Sequence, residues 1–238
     1  KGKNTPEDHM LSFYKHWSDV KDEKFDGLVI TGAPIDAIPF EEVAYWEELQ
    51  AIFDWSQTNV FSTLTLCWGA MAALHHFYGV KRRFYDDKLF GVYPYKTVQQ
   101  QQGLLRGFDD VYNMPVSRHS GTFVSDIQDI ESLHVLAYSD EVGAGLIIDT
   151  DRHMTYMLNH LEYDYDDLAN EYKRDMDAGK DIALPVNYFP DNDPSKKPLN
   201  KWRASAHLFF NNWIDEIYQY TPYDISRIPN PTQRLDID

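Results

Sequence analysis

The 238-residue chain is 43% hydrophobic and 15% aromatic, enough to bury one sizeable core, and no linker divides it, so a single domain over residues 1–238 is expected. Its 22 basic and 38 acidic side chains give a formal charge of −16, a field that repels nucleic acid and anionic membrane. No apolar run approaches the roughly 20 residues of a membrane span, no leader-like segment opens the chain, and the lone cysteine offers no internal disulfide, which together point to a cytoplasmic protein.

In chain order, Phe25 to Ile30 reads as a buried strand ending in the loop Thr31-Gly32-Ala33-Pro34. A helix is expected from about Phe40 to Trp55, with apolar residues spaced at Val43, Trp46, Leu49 and Phe53. The apolar run from Val60 to Leu66 reads as a second strand and Trp68 to Leu74 as the start of a second helix, so Cys67 falls at a sharp strand-to-helix turn, a nucleophile elbow. This order implies an α/β fold with a mostly parallel sheet flanked by helices, whose ligands bind at the carboxyl ends of the strands. The first strong strand begins only at Phe25, so the chain is expected to lack the first strand and helix of such a sheet.

The segment from Lys88 to Phe123 carries Gly91, Pro94, Gln99 to Gln102 and Pro115, and reads as short strands and loops able to form a lid. Leu133 to Tyr138, Gly143 to Asp149 and Met154 to Leu158 read as three short strands. Asp164 with the periodic Leu168, Tyr172 and Met176 marks a helix stopped by Gly179. A last amphipathic helix is expected from Trp202 to about Tyr220, where Trp213, Tyr218 and Tyr220 suit either a homodimer contact or the core.

At the end of its strand, the Cys67 thiol is lifted above the sheet, and the amides that open the next helix, Trp68 first, are placed to hold an oxyanion. A lone cysteine is more often a small buried hydrophobe, and the strand–Cys–helix context raises the functional reading to even terms. His160 and Glu162 follow another strand two residues apart, so the carboxylate can orient the imidazole, and both can face Cys67 across the sheet. With nine histidines in the chain, His-x-Glu by itself is weak evidence. For an anionic ligand, Lys81-Arg82-Arg83 followed by Lys88 and Lys96 is the best local supply of positive charge.

The stretches Phe25-Asp26-Gly27-Leu28 with Thr31-Gly32-Ala33-Pro34, Cys67-Trp68-Gly69-Ala70, Arg106-Gly107-Phe108-Asp109-Asp110, Glu162-Tyr163-Asp164 and Asn187-Tyr188-Phe189-Pro190 carry a resemblance over nearly the whole chain. The chain resembles the homoserine O-acyltransferase family, whose fold is flavodoxin-like and of the class I glutamine amidotransferase type. The resemblance implies Cys67 as acyl-accepting nucleophile, His160 as general base and acid, Glu162 as its orienting carboxylate and the Trp68 amide as oxyanion donor. It further implies Lys88, Ser117, Arg118 and Arg174 as substrate-binding residues, and Asp36 at the position associated with acyl choice, where an acidic residue goes with acetyl and glycine with succinyl. Three motifs depart from the family pattern: Asn159 and Leu161 stand around His160, Val116 before Ser117, and Met71 after the nucleophile.

The expected reaction is ping-pong acetyl transfer from acetyl-CoA, a co-substrate, to L-homoserine, a step of methionine biosynthesis, with no permanently bound cofactor and no metal. L-serine is the rival acceptor, since one methylene is worth only about 1–3 kcal/mol in a pocket, and succinyl-CoA the rival donor. A glutamine amidotransferase-type thiol hydrolase would use the same Cys, His and Glu but has no need of Lys88, Ser117 and Arg174.

Overall fold

The computed structural model describes residues 14–35, 38–98 and 103–228. After one helical turn at Trp17–Val20, the strands are β1 (Phe25–Ile30), β2 (Val60–Leu66), β3 (Arg83–Thr97), β4 (Val111–Gly121), β5 (Leu133–Ser139), β6 (Gly143–Asp149) and β7 (Met154–Met157). The helices are α1 (Trp46–Asn59), α2 (Trp68–Tyr78), α3 (Asp167–Asp177) and α4 (Arg203–Tyr220). A single 3₁₀ turn, Phe40–Glu42, precedes α1, so the expected helix from Phe40 is broken between Glu42 and Trp46.

The seven strands form one sheet in the order β1-β2-β7-β6-β5-β3-β4. Only β1, β2 and β7 run parallel, with Ile30 beside Thr65 and Leu66 beside Met157. The other pairings are antiparallel, so the sheet is mixed rather than mostly parallel. Hairpin-like connections joining β5, β6 and β7 reverse the chain within a few residues, where parallel neighbours would need a helical crossover.

The expected lid between Lys88 and Phe123 is instead a long antiparallel pair, β3 with β4, built into the sheet. Proline is tolerated because β4 is an edge strand and because β3 meets β5 only at Lys96 and Thr97, so Pro94 and Pro115 need not donate to a second neighbour.

Two apolar layers cover the sheet. Leu64, Leu66, Leu146 and Met157 face Trp202, Phe209 and Trp213, whereas Ile147 and Tyr156, one residue along the same strands, face α1 and α2. The α1 residues Trp46, Leu49, Phe53 and Ser56 are buried at helical spacing, and α2 is apolar throughout Trp68–Leu74 and buried there. Trp213 belongs to the core and donates its indole N–H to Ser62 Oγ at 3.0 Å, while Tyr218 and Tyr220 are exposed. Among the described residues no helix is long and apolar enough to cross a membrane.

Candidate active site

Because β1, β2 and β7 are parallel neighbours, the Thr31–Pro34 loop, Cys67 and His160 all emerge from the same end of the sheet. Cys67 has φ 48° and ψ −115°, a conformation rare for a residue with a side chain. Its amide donates to the Met157 carbonyl at 2.7 Å, and its own carbonyl accepts from the Ala70 and Met71 amides, which starts α2 immediately. Gly69 lets this helix lie against β1, since a Cβ there would sit 3.0 Å from the Thr31 carbonyl oxygen.

Gly32 passes directly over the turn. A Cβ at Gly32 would come 3.1 Å from Cys67 Cβ and 3.5 Å from the Trp68 amide nitrogen, so the space above that N–H stays open only because the residue is glycine. As the first residue of α2, Trp68 has no intrahelical acceptor for its amide.

His160 is held from two sides: its amide donates to the Pro115 carbonyl at 3.0 Å, tying the end of β7 to β4, and its Nδ1 donates to Glu162 Oε1 at 2.6 Å. Burial disfavours the imidazolium, but the adjoining Cys67 sulfur, through charge and a hydrogen bond, and then Glu162 outweigh it and push His160 up to about 10. The Tyr163 ring stacks on the imidazole at 4.2 Å and 21°.

From Tyr163 the polar network continues to α3. The Tyr163 hydroxyl donates to Glu171 Oε1 at 2.7 Å, Ser117 Oγ donates to Oε2 at 2.6 Å, and Lys88 Nζ lies 3.3 Å from Oε2. Burial raises the Glu171 pKa, but these donors outweigh it and hold it below the usual carboxylate value. Lys88 also sits 4.1 Å over the Phe90 ring and 3.7 Å from Asp175. Arg174 is bound through Nε and Nη2 to Asp175 at 3.0 and 3.1 Å. Glu162, Tyr163, Asp167, Asn170, Glu171 and Arg174 line a cleft of about 440 Å³ beside His160.

The structure therefore gathers Cys67, Trp68, His160, Glu162, Lys88, Ser117 and Arg174 around one region. Arg118 is fully buried: its guanidinium donates to Tyr85 Oη and to the Ser120 and Val142 carbonyls, and the Cys67 charge acts on it through space. The sequence places Arg118 beside Ser117, but alternation along β4 sends the two side chains to opposite faces. Asp36 lies outside the described residues. Of the basic run only Lys88 reaches the site, for Arg82 lies over Phe40 and bonds the Ile38 carbonyl, while Arg83 and Lys96 pair with Asp126 and Asp140.

Glu171 was not singled out by sequence reasoning. Its signal is helical spacing, three residues before Arg174 and eight after Tyr163. The three departures from the family pattern face the interior: Asn159 accepts from Tyr95 Oη at 3.1 Å, Val116 is fully buried, and Met71 Sδ accepts from Ser120 Oγ at 3.6 Å. Among the described residues no group of three or more His, Cys, Asp or Glu side chains could hold a metal ion.

A family model described as homoserine O-succinyltransferase matches residues 1–223. The chain belongs to the homoserine O-succinyltransferase family. Within it, a protein named homoserine O-acetyltransferase from Allorhizobium ampelinum is 50% identical over 228 residues, 96% of this chain and 74% of the relative. A protein named homoserine O-succinyltransferase from Pelagibacterium halotolerans is 52% identical over 227 residues, 95% of this chain and 73% of the relative. The family fold is that of glutamine amidotransferases: the structure of one from Methylobacillus flagellatus superposes with a TM-score of 0.57 at 13% identity, covering 80% of this chain and 76% of that one. A member of the homoserine O-succinyltransferase family is an acyl-CoA-dependent transferase, and the chain is an enzyme of that kind.

Proposed function

We propose that the protein moves an acetyl group from acetyl-CoA to the hydroxyl of L-homoserine by way of a Cys67 thioester. One observation carries the reading: Glu162, the carboxylate bonded to His160, lines a cleft together with Glu171 and Arg174, and Lys88 lies 3.3 Å from Glu171, a set of charges of both signs that suits the ammonium and carboxylate of an amino acid. A thiol hydrolase acting on glutamine has no need of that second set, and likeness to amidotransferases at 13% identity concerns the fold alone.

In the first half-reaction His160 takes the thiol proton and the Cys67 sulfur attacks the thioester carbonyl carbon. The carbonyl oxygen becomes an oxyanion beneath the Trp68 amide, in the space Gly32 leaves open. Collapse breaks the carbon–sulfur bond to CoA, whose sulfur leaves with the proton from His160. In the second half-reaction His160 accepts the homoserine hydroxyl proton, the oxygen bonds to the acyl carbon, and the bond to Cys67 breaks as the proton returns to sulfur. Glu162 keeps the imidazole oriented with Nδ1 as donor throughout.

Donor choice rests on Asp36, whose carboxylate would repel the free carboxylate of a succinyl group, a like-charge contact costing several kcal/mol when partly desolvated. The 52% identical relative named for succinyl transfer keeps succinyl-CoA as the second reading. For the acceptor, the relatives named for homoserine acylation favour homoserine, with L-serine the second reading.

The test is CoA thiol release with acetyl-CoA against succinyl-CoA, each offered L-homoserine and L-serine, with Cys67→Ala as blank. Acetyl-dependent release with homoserine supports the reading. Turnover with serine alone moves the acceptor assignment, and no Cys67-dependent release with any pair removes the transferase mechanism.

A further inference from the structure

We propose that Asp175 is a positioning residue of the acceptor subsite, setting Arg174 and Lys88 in the geometry that receives an acceptor carboxylate. The inference rests on the assignment of that cleft to an amino-acid acceptor.

Asp175 is itself buried, on the face of α3 turned to the sheet, and a buried carboxylate requires compensation. It is compensated by three cations: Arg174 through two N–H groups, Lys180 at 3.0 Å, and Lys88 at 3.7 Å. Arg174 lines the acceptor cleft and Lys88 adjoins it through Glu171, so one side chain outside the lining contacts both.

The grip on Arg174 is directional. Asp175 takes the Nε and Nη2 edge of the guanidinium, and among the described residues no hydrogen bond engages Nη1. The planar group thus has one edge fixed and its far end free, while the side chain lines the cleft. Arg174 is more than half exposed and its other ion pair, from Nη2 to Glu171 Oε2, is long at 3.9 Å, so without the Asp175 bonds its side chain would sample many rotamers before meeting a ligand.

Lys88 is shared between Glu171 Oε2 at 3.3 Å and Asp175 Oδ2 at 3.7 Å. Without the Asp175 charge it pairs with Glu171 alone, and so competes with the acceptor ammonium for that carboxylate. Both consequences fall on the acceptor, because no hydrogen bond or ion pair joins Asp175 to Cys67, His160 or Glu162 among the described residues.

The test compares Asp175→Asn with the unmodified chain in two measurements: the burst of thiol release on mixing with acetyl-CoA without acceptor, and steady-state turnover with L-homoserine and with L-homoserinamide, whose carboxylate is a neutral amide. The expected result is a burst within about twofold of the parent, a KM for L-homoserine raised about tenfold or more, kcat within about threefold, and a preference for homoserine over homoserinamide reduced about tenfold. Asp175→Glu recovers part of the loss. Arg174→Lys keeps the charge but cannot be held through two N–H groups, so it carries the same expectation and serves where Asp175→Asn fails to fold.

A homoserine KM within about twofold of the parent, with Arg174→Ala raising it strongly, overturns the role of Asp175 while leaving the acceptor cleft in place. A reduced burst in folded Asp175→Asn also overturns it, because the residue would then act on the whole structure. If Arg174→Ala and Lys88→Ala both leave the homoserine KM unchanged, the cleft assignment fails and the role of Asp175 with it.

Discussion

The amide of Cys67 donates to the carbonyl of Met157 at 2.7 Å, so the turn that carries the thiol is bonded to the strand that leads, three residues later, to His160. Relative placement of sulfur and imidazole is thereby set by the parallel ladder of β2 and β7 and not by side-chain packing alone. Changes that leave this ladder intact should therefore alter chemistry with little effect on folding.

Gly32→Ala is such a change. Its methyl group would lie 3.1 Å from Cys67 Cβ and 3.5 Å from the Trp68 nitrogen, filling the space where a carbonyl oxygen would meet that amide. The expected outcome is a fall in kcat/KM of about a hundredfold, the scale of a lost oxyanion donor, with the thermal midpoint nearly unchanged. Steady-state kinetics and a thermal melt on the same preparation check both.

Glu162→Gln should lower the protonation midpoint of His160. The wild-type imidazole is opposed by burial and raised by Cys67 and then Glu162 to about 10, so removing the Glu162 charge leaves the imidazolium less favoured. Nitrogen NMR of labelled histidine across a pH series would read the shift, and an unchanged or higher midpoint would contradict the assigned contacts.

The Tyr163 ring and hydroxyl serve different neighbours, and two substitutions separate them. Tyr163→Phe keeps the stack on His160 at 4.2 Å and loses the hydrogen bond to Glu171 at 2.7 Å. The homoserine KM should rise about tenfold, in line with a charge-assisted hydrogen bond, while the burst with acetyl-CoA is preserved. Tyr163→Ala should diminish both.

Arg118→Met would leave the Ser120 and Val142 carbonyls without the guanidinium that now reaches them at 3.0 and 2.8 Å. A cost of about 3 kcal/mol is expected, which for a chain of this size corresponds to a midpoint lower by roughly 6–12 °C. Calorimetry or circular dichroism melts measure it directly. A melt within about two degrees of the parent would show that the buried guanidinium contributes little net stability.

If Asp36 sets donor choice as proposed, Asp36→Gly should raise turnover with succinyl-CoA relative to acetyl-CoA by about tenfold or more, since a repulsion between two carboxylates would be removed. Competition between the two donors at fixed homoserine gives the ratio in one experiment. An unchanged ratio would detach donor choice from this position.

Cys67, His160 and Glu162 were legible because each stands at the end of an apolar run, and in a sheet whose neighbouring strands are parallel those ends converge. The direction of the remaining strands was not legible, since apolar periodicity is the same for parallel and antiparallel neighbours. The lid reading fails at Gly91, Pro94 and Pro115, residues that favour loops in sequence but stand inside β3 and β4. In the folded chain Pro94 lies opposite Asn113 and Pro115 opposite Val92, with the Pro115 carbonyl also accepting from the His160 amide, while Gly91 approaches Val186 so closely that a Cβ would sit 2.4 Å from its backbone. Glu171 escaped notice because its importance comes from three donors drawn from β3, β4 and the segment after β7, contacts that no local window contains.

The β1 loop over Cys67 and the acceptor-side groups Lys88, Ser117, Glu171 and Arg174 come from separate stretches of chain, and among the described residues no hydrogen bond joins one set to the other. Substitutions in the two sets should therefore combine additively in free energy. In evolutionary terms, if donor choice is set near residues 31–36 as proposed, a lineage can exchange one acyl donor for another and keep its amino-acid acceptor, since the two sets lie on separate stretches of sequence.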